Sequence, residues 1–370
     1  MTYCVPEPLE DELAAGIAGR LARLNGLPSI AIAIDCISRA GRHLVTEKTP
    51  KLWRLAELLG EERFDFANRH SMLPALFPVS RYLDTANEQS CARSVAMLRG
   101  MQIPHKVLRW CQACVQRDLD TRGFGIWRRK HQLAGVDVCL EHGLALVTAA
   151  THDAYRPPGH ASTVCSPYPC SSELQRECSV DSIARFQSLM SLWLTRRTPL
   201  RVAAWASAVG ARCRDVNVRV GNLGSLPTVS DLLRDQMPIS WLHRHMPDVA
   251  NKRPRDFIGR VDGACYAQRV PYPSLICTAI LAVLFSSAEE ASEALDSADR
   301  QLSGDGPLKV ATQLALKDFA RGSGLVEAGQ RHGVCPLVLE AVLREKLLKK
   351  HAKFKCIPPP AEATPMHVQA

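Results

Sequence analysis

Residues 109–142 read RWCQACVQRDLDTRGFGIWRRKHQLAGVDVCLEH. Cys111 and Cys114 enclose two residues, Cys139 and His142 enclose two more, and 24 residues lie between the pairs. A two-residue gap lets both side chains of a knuckle reach one ion from a tight turn, and two knuckles supply the four ligands of tetrahedral zinc. Three thiolates and one imidazole close the shell against water, which favours a structural site over a catalytic one. The spacing is that of a zinc ribbon or treble clef. It exceeds the roughly 12-residue loop of a two-Cys, two-His finger, which argues against three-base readout. Between the knuckles Trp127, Arg128, Arg129, Lys130 and His131 form a basic, aromatic word. A metal clamp beneath cationic groups points to nucleic acid or an acidic partner before turnover of a small molecule.

The chain around this segment has 370 residues, 46% of them hydrophobic, and a formal charge of +9. That length exceeds the usual span of one core, so two or three domains are expected. The positive charge permits an anionic partner without proving one. No run approaches the ~18 apolar residues of a membrane span, and the opening MTYCVPEPLEDEL has neither the basic nor the apolar part of a signal peptide. The expected compartment is therefore reducing and cytoplasmic. Its cysteines read as ligands and buried thiols, not as a disulfide framework.

The pattern divides the chain into an N-terminal helical part, 1–106, with a helix-turn-helix reading open, and a zinc-ribbon core, 107–150. A linker or second metal module, 151–178, a C-terminal helical part, 179–356, and a disordered tail, 357–370, follow. In the first part Pro8 and the acids Glu10 to Glu12 suit a helix start. Leu13, Ile17, Leu21 and Leu24 give its face, and Asn25-Gly26 its stop. A second helix is expected over Ile30 to Ala40 and a third after Pro50. Residues 71–78, SMLPALFP, read as a packed connector. Val136, Val138 and Leu140 alternate as a ribbon strand should.

In the linker, His160, Cys165, Cys170 and Cys178 form a candidate second metal site, with irregular gaps and no CxxC pair. Further on, Ile183, Phe186, Leu189, Met190, Trp193 and Leu194 make an apolar helical stripe. Arg196, Arg197, Arg201, Arg212, Arg214 and Arg219 face only Asp215 in local sequence. A cap at Ser230-Asp231 and a break at Met237-Pro238 suggest two short helices resembling a helix-turn-helix. Lys252, Arg253, Arg255 and Arg260 follow. Ser274 to Phe285 fits a buried helix. Lys349, Lys350 and Lys353 lie in a basic terminal run. The fold expected is mainly α, with small Cys3His β modules and helix-turn-helix-like helical domains.

Motifs of catalysis are missing: no GxxxxGK[ST] loop, no HExxH, no GxSxG in a strand-turn-helix context. The CQAC pair follows Trp110 instead of the Pro of a deaminase PCxxC, and no HxE stands upstream. Asp118 and Asp120 read as surface acids. The expectation is a protein without enzymatic activity.

The words CQACVQRD and WRRKHQLAGVDVCLEHGLAL resemble the signature of the TniQ/TnsD family of transposition target-selection proteins. Cys111, Cys114, Asp118, Trp127, Arg128, Arg129, His131, Gln132, Leu133, Gly135, Val136, Val138, Cys139, His142 and Leu146 carry the match. PEPLEDEL and HSMLP add to it, so that residues 6–146 are covered. Gln112 and Ala134 stand where the family usually has Pro, and the first helix has the small sequence AAGIAG. The resemblance implies target-site selection in Tn7-like transposition. The protein would bind double-stranded DNA, or an RNA-guided effector already on DNA, and recruit an AAA+ ATPase regulator, with self-association left open. It would be bacterial and nucleoid-associated when on DNA. One Zn2+ is expected at Cys111, Cys114, Cys139 and His142, and a second is open at the linker cluster. The expected DNA or partner contacts are Arg128, Arg129, Lys130, Arg196, Arg197, Arg212, Arg214, Lys252, Arg253, Arg255, Lys349, Lys350 and Lys353. A zinc-containing transcriptional regulator and a protein-only adaptor in an RNA-guided complex are the alternative readings.

Overall fold

The computed structural model describes residues 3–40, 49–76, 78–80, 99–149, 153–160, 171–197, 199–221, 224–266, 272–303, 307–332, 334, 339–340 and 342–343. Cys165, Cys170, Lys349, Lys350, Lys353 and the tail 357–370 lie outside the described residues. The fold is mainly helical with short two-residue strands, as expected.

The N-terminal part holds α1 (Ala14–Leu24), α2 (Ile30–Ala40), α3 (Lys51–Leu58), α4 (Arg63–His70) and the single turn α5 (Leu73–Leu76). Ile17, Leu21, Leu52, Leu55 and Phe66 are fully buried together between these helices, while Leu24, at the end of the predicted face, is 54% exposed. The helix does not begin at Pro8. Asp11 adopts φ 57°, and residues 11–13 run beside 127–129 instead. There Leu13 N–H donates to Trp127 O at 2.7 Å and Arg129 N–H to Asp11 O at 2.9 Å. Glu12 then accepts from the Arg20 guanidinium at 2.6 Å and from Leu9 N–H at 3.2 Å. The small residues AAGIAG seat their neighbours. Gly16 lies against Trp127, and a Cβ on Gly19 would fall 2.2 Å from the Ala154 carbonyl oxygen. Only glycine lets residues 154–155 cross α1 this closely.

The segment quoted at the outset folds as β2 (Arg109–Trp110), α6 (Gln112–Arg122), a 3-10 turn at Lys130–Gln132 and a return strand β3 (Val147–Thr148). β2 and β3 pair antiparallel, with Arg109 opposite Thr148 and Trp110 opposite Val147. The alternating strand expected over 136–140 is absent; only an isolated bridge joins Val138 to Ala145. Alternation fails because Val136, Asp137 and Val138 are all buried and Leu140 is exposed. Asp137 is turned inward by charged partners described below.

The C-terminal part contains α7 (Ser171–Cys178), α8 (Asp181–Thr195), α9 (Val202–Asp215), α10 (Val229–Gln236), α11 (Ile239–His245), the turn α12 (Pro247–Ala250), α13 (Ser274–Leu284), α14 (Ala288–Ser303), α15 (Pro307–Ala320) and α16 (Leu325–Arg331). Strand β1 (Val79–Ser80) pairs parallel with β4 (Leu200–Arg201), tying the N-terminal part to the start of α9. Every residue of the predicted stripe on α8 is buried, and Trp193 Nε1–H donates to Thr278 Oγ1 of α13 at 2.7 Å. A further buried cluster runs without interruption from Leu13, Leu108, Trp127 and Leu133 through Phe186, Trp205 and Trp241 to Ala298. The metal module is thus packed into the helical body. Gly135 marks the junction. It takes φ 74°, and an added Cβ would stand 2.7 Å from Phe186 Cζ and Leu275 Cδ1.

The pair α10 and α11, broken at Met237-Pro238, forms as predicted. Its cap lies earlier than Ser230-Asp231: Thr228 and Asp231 exchange side-chain-to-backbone bonds in a capping box. Among the described residues no single helix is long and apolar enough to cross a membrane; α13 and α14 meet that test only as a pair bent by 110°. α13 is enclosed by other helices.

Candidate metal centre

Cys111 is the N-cap of α6 and Cys114 lies on its first turn. β2 delivers Cys111 and β3 brings the chain back beside it. The second knuckle closes with Gly143 N–H donating to Cys139 O at 2.8 Å and Cys139 N–H to Leu144 O at 2.7 Å. The three sulfurs and the ring nitrogen all lie within 4.8 Å of one another. His142 Nδ1 stands 3.6, 3.3 and 3.5 Å from the sulfurs of Cys111, Cys114 and Cys139, and Cys114 Sγ is 3.7 Å from Cys139 Sγ. A tetrahedron with ~2.3 Å metal–sulfur bonds has edges of about 3.8 Å. The cluster therefore already has the size of a four-coordinate shell. The three cysteines are buried and His142 is half-buried. The hydrogen bond to the Cys139 sulfur and burial push the Cys114 thiol up, and burial does the same to Cys111. A divalent cation offsets that cost by binding the thiolates. The donor set fits such an ion.

The word between the knuckles is placed residue by residue. Trp127 is buried, and its Nε1–H donates to Arg156 O at 2.8 Å. Arg128 is buried and bidentate on Asp118, with both bonds at 2.6 Å. Asp118, expected on the surface, has no exposed area; it also accepts from Arg122 at 2.7 Å and from Ile126 N–H at 3.3 Å. Arg129 is buried and donates to the carbonyls of Ser71, Arg69 and Leu194. Burial pushes its pKa down to about 10, against the opposing charge of Asp11. His131 is buried, with Nε2 3.6 Å from Cys139 Sγ. Gln132 latches β2: its Oε1 accepts from Arg109 N–H at 3.1 Å, and its Nε2–H donates to Arg109 O at 2.8 Å. Of the basic triplet Arg128, Arg129 and Lys130, the structure leaves Lys130 exposed.

A second polar cluster, which the sequence reading did not find, joins this module to α11. Asp137 accepts from His245 Nε2 at 2.7 Å and Arg244 at 3.2 Å, and lies 3.7 Å from Arg109 Nη1. Burial would raise the pKa of Asp137. The hydrogen bond and charge of His245, with the charges of Arg109 and Arg244, outweigh it and hold the carboxyl well below its usual range. Arg244 also pairs with Glu177 of α7. Trp241 Nε1–H donates to Gly135 O at 3.0 Å. These groups occupy the inner face of α11. No local sequence signal marks them, because Asp137 and His245 are 108 residues apart.

The remaining cations are distributed unevenly. Arg196 pairs with Asp296 at 2.7 Å, and Arg212 lies 3.6 Å from Glu290, both acids on α14. Lys252 is buried and donates to Thr228, Ser230 and Asp231. Arg197, Arg214, Arg253 and Arg255 are exposed. His160 is exposed, while Cys178 is half-buried and accepts from Gln187 Nε2 at 3.2 Å.

The family model named TniQ matches residues 4–146. The chain carries a TniQ domain. No curated protein matches the chain. The match covers less than half of the chain and supports a Tn7-like transposition-associated protein; it spans α1 through the last residue of the metal cluster's apolar surround, Leu146. The TniQ domain thus contains the whole Cys3His group. The residues that clamp Trp127 and Asp137 from outside, Arg156, Arg244 and His245, belong to the following part of the chain.

Proposed function

We propose that the chain selects target sites for DNA transposition. It binds duplex DNA or a DNA-bound effector and recruits an AAA+ ATPase, with a structural Zn2+ on Cys111, Cys114, Cys139 and His142. The TniQ match over residues 4–146 carries this reading. The closed donor set supports zinc in a shaping role and no step of bond breaking. Residues suited to phosphate are the exposed Lys130, Arg197, Arg214, Arg253 and Arg255. The test is an insertion assay in cells carrying the element's other proteins. Deleting this gene is expected to abolish or redistribute targeted insertions; unchanged frequency and site distribution would refute the selector role.

A second reading, an adaptor that meets only protein, is favoured by one observation. Arg128, Arg129, Arg196, Arg212 and Lys252 are engaged within the chain, which shrinks the cationic surface. Salt dependence separates the two. About four phosphate contacts predict a fall in duplex affinity of roughly 100-fold between 50 and 200 mM salt. Lys130→Glu and Arg253→Glu should each weaken binding to unrelated sequences alike and flatten the salt slope by about one unit. Fluorescence anisotropy measures both. Absence of duplex binding at low salt would select the adaptor.

A further inference from the structure

We infer that His131 is a positioning residue for the metal centre: its Nε2–H donates to the Cys139 sulfur and stabilises that thiolate. The inference rests on the metal reading of the Cys3His group. Apart from the four ligands and Glu141, His131 is the side chain among the described residues that stands within hydrogen-bonding range of a site sulfur, at 3.6 Å. It is 3% exposed, and its Nδ1 is buried with no partner. The proton can therefore be placed from geometry. With hydrogen on Nδ1, a buried donor would be orphaned and the Nε2 lone pair would face an anionic sulfur. With hydrogen on Nε2, the donor meets the thiolate and only a weaker acceptor is left unpaired.

The electrostatics make this bond matter. A divalent ion with three thiolates and a neutral imidazole is a buried anion, which is costly unless donors surround it. A charge-assisted N–H···S bond spreads the negative charge, lowers the sulfur's nucleophilicity and holds Cys139 in its ligating rotamer. His131 is itself fixed by the 3-10 turn 130–132, because the next residue, Gln132, is latched to β2 and to Arg128 O. The turn therefore links strand, knuckle and metal through consecutive residues.

The test is zinc competition against a chromophoric chelator, on the full chain purified with its metal. His131→Phe keeps the ring and removes the donor; His131→Gln keeps a donor. The Phe variant is expected to hold zinc about 10–100-fold more weakly and to release it faster to a thiol-alkylating reagent, with the Gln variant recovering most of the loss. Equal losses in both variants, or none in either, would overturn the inference. A measurement on the unmutated chain stands apart from variant folding. In protein loaded with 113Cd, the His131 Nε2 proton should show a scalar coupling to the metal through the Cys139 sulfur. No such coupling in a metal-loaded chain overturns the inference, whereas a chain that binds no metal overturns the metal reading beneath it.

Discussion

Cys114→Ser is expected to unfold residues 109–149 and to loosen α11 with them. The module's own apolar core is small. At the ligands Cys111, Cys114, Cys139 and Leu146 form a small cluster of their own and the sheet is two residues per strand, while Trp110, Val115, Trp127, Leu133 and Val136 pack away from the site into the helical body. The knuckles themselves cannot offset their conformational entropy by the burial of so small a cluster. Structural zinc contributes on the order of 10–16 kcal/mol of binding energy, which here is folding energy, against a typical domain stability of ~5–15 kcal/mol. Losing one thiolate removes enough of this to decide whether the module folds. The disturbance should spread, because Gly135 and Asp137 hold Trp241, Arg244 and His245. Elemental analysis should give one zinc per wild-type chain and less in the variant. Hydrogen exchange should rise at 109–149 and also at 239–245. A folded, well-protected module with no metal would sink the expectation; exchange confined to 109–149 would sink the coupling to α11.

What could be read from sequence follows the range of the interactions. The metal cluster was legible because its ligand pairs are local knuckles with a spacing the ion dictates. The stripe on α8 was legible because a helix repeats its buried positions every three to four residues, and α13 because an apolar run too short to cross a membrane fits a helix buried on all sides. The cations from 196 to 219 looked unopposed because their acids, Asp296 and Glu290, lie far along the chain on α14. Arg129 reads as a surface charge until Arg69 and Ser71, about 60 residues earlier, supply carbonyls for it. The helix start was misplaced for the same reason. Pro8 and three acids fit a first turn, but residues 11–13 gain partners in 127–129 that no local pattern announces. Asp137 broke the expected strand alternation through His245 and Arg244, again distant in sequence.

Arg128→Ala is expected to destabilise the protein by about 3–5 kcal/mol, the usual cost of breaking a buried ion pair. The pair is bidentate, Asp118 has no exposed area, and what remains is one bond from the exposed Arg122 side chain and a long 3.3 Å bond from Ile126 N–H. Removing the guanidinium leaves a buried carboxylate with too few donors, on the same helix that carries Cys114. Lys130→Ala, two positions along and exposed, should change stability by less than ~0.5 kcal/mol. Urea denaturation of zinc-loaded protein compares them directly. A midpoint for Arg128→Ala equal to wild type would show that Asp118 is satisfied without it. The contrast decides how targeting defects are to be read. A double change of Arg128 and Arg129 to Ala looks, from sequence, like a clean removal of two contact charges. In this fold it cuts the Asp118 clamp and the carbonyl ties to Arg69, Ser71 and Leu194, so lost insertion would report a damaged TniQ domain. Lys130→Glu tests the surface without touching those ties. If it leaves stability and zinc content unchanged and still impairs targeting, the contact lies on the outer face of the 3-10 turn. If targeting survives, the conspicuous basic word between the knuckles is internal scaffolding.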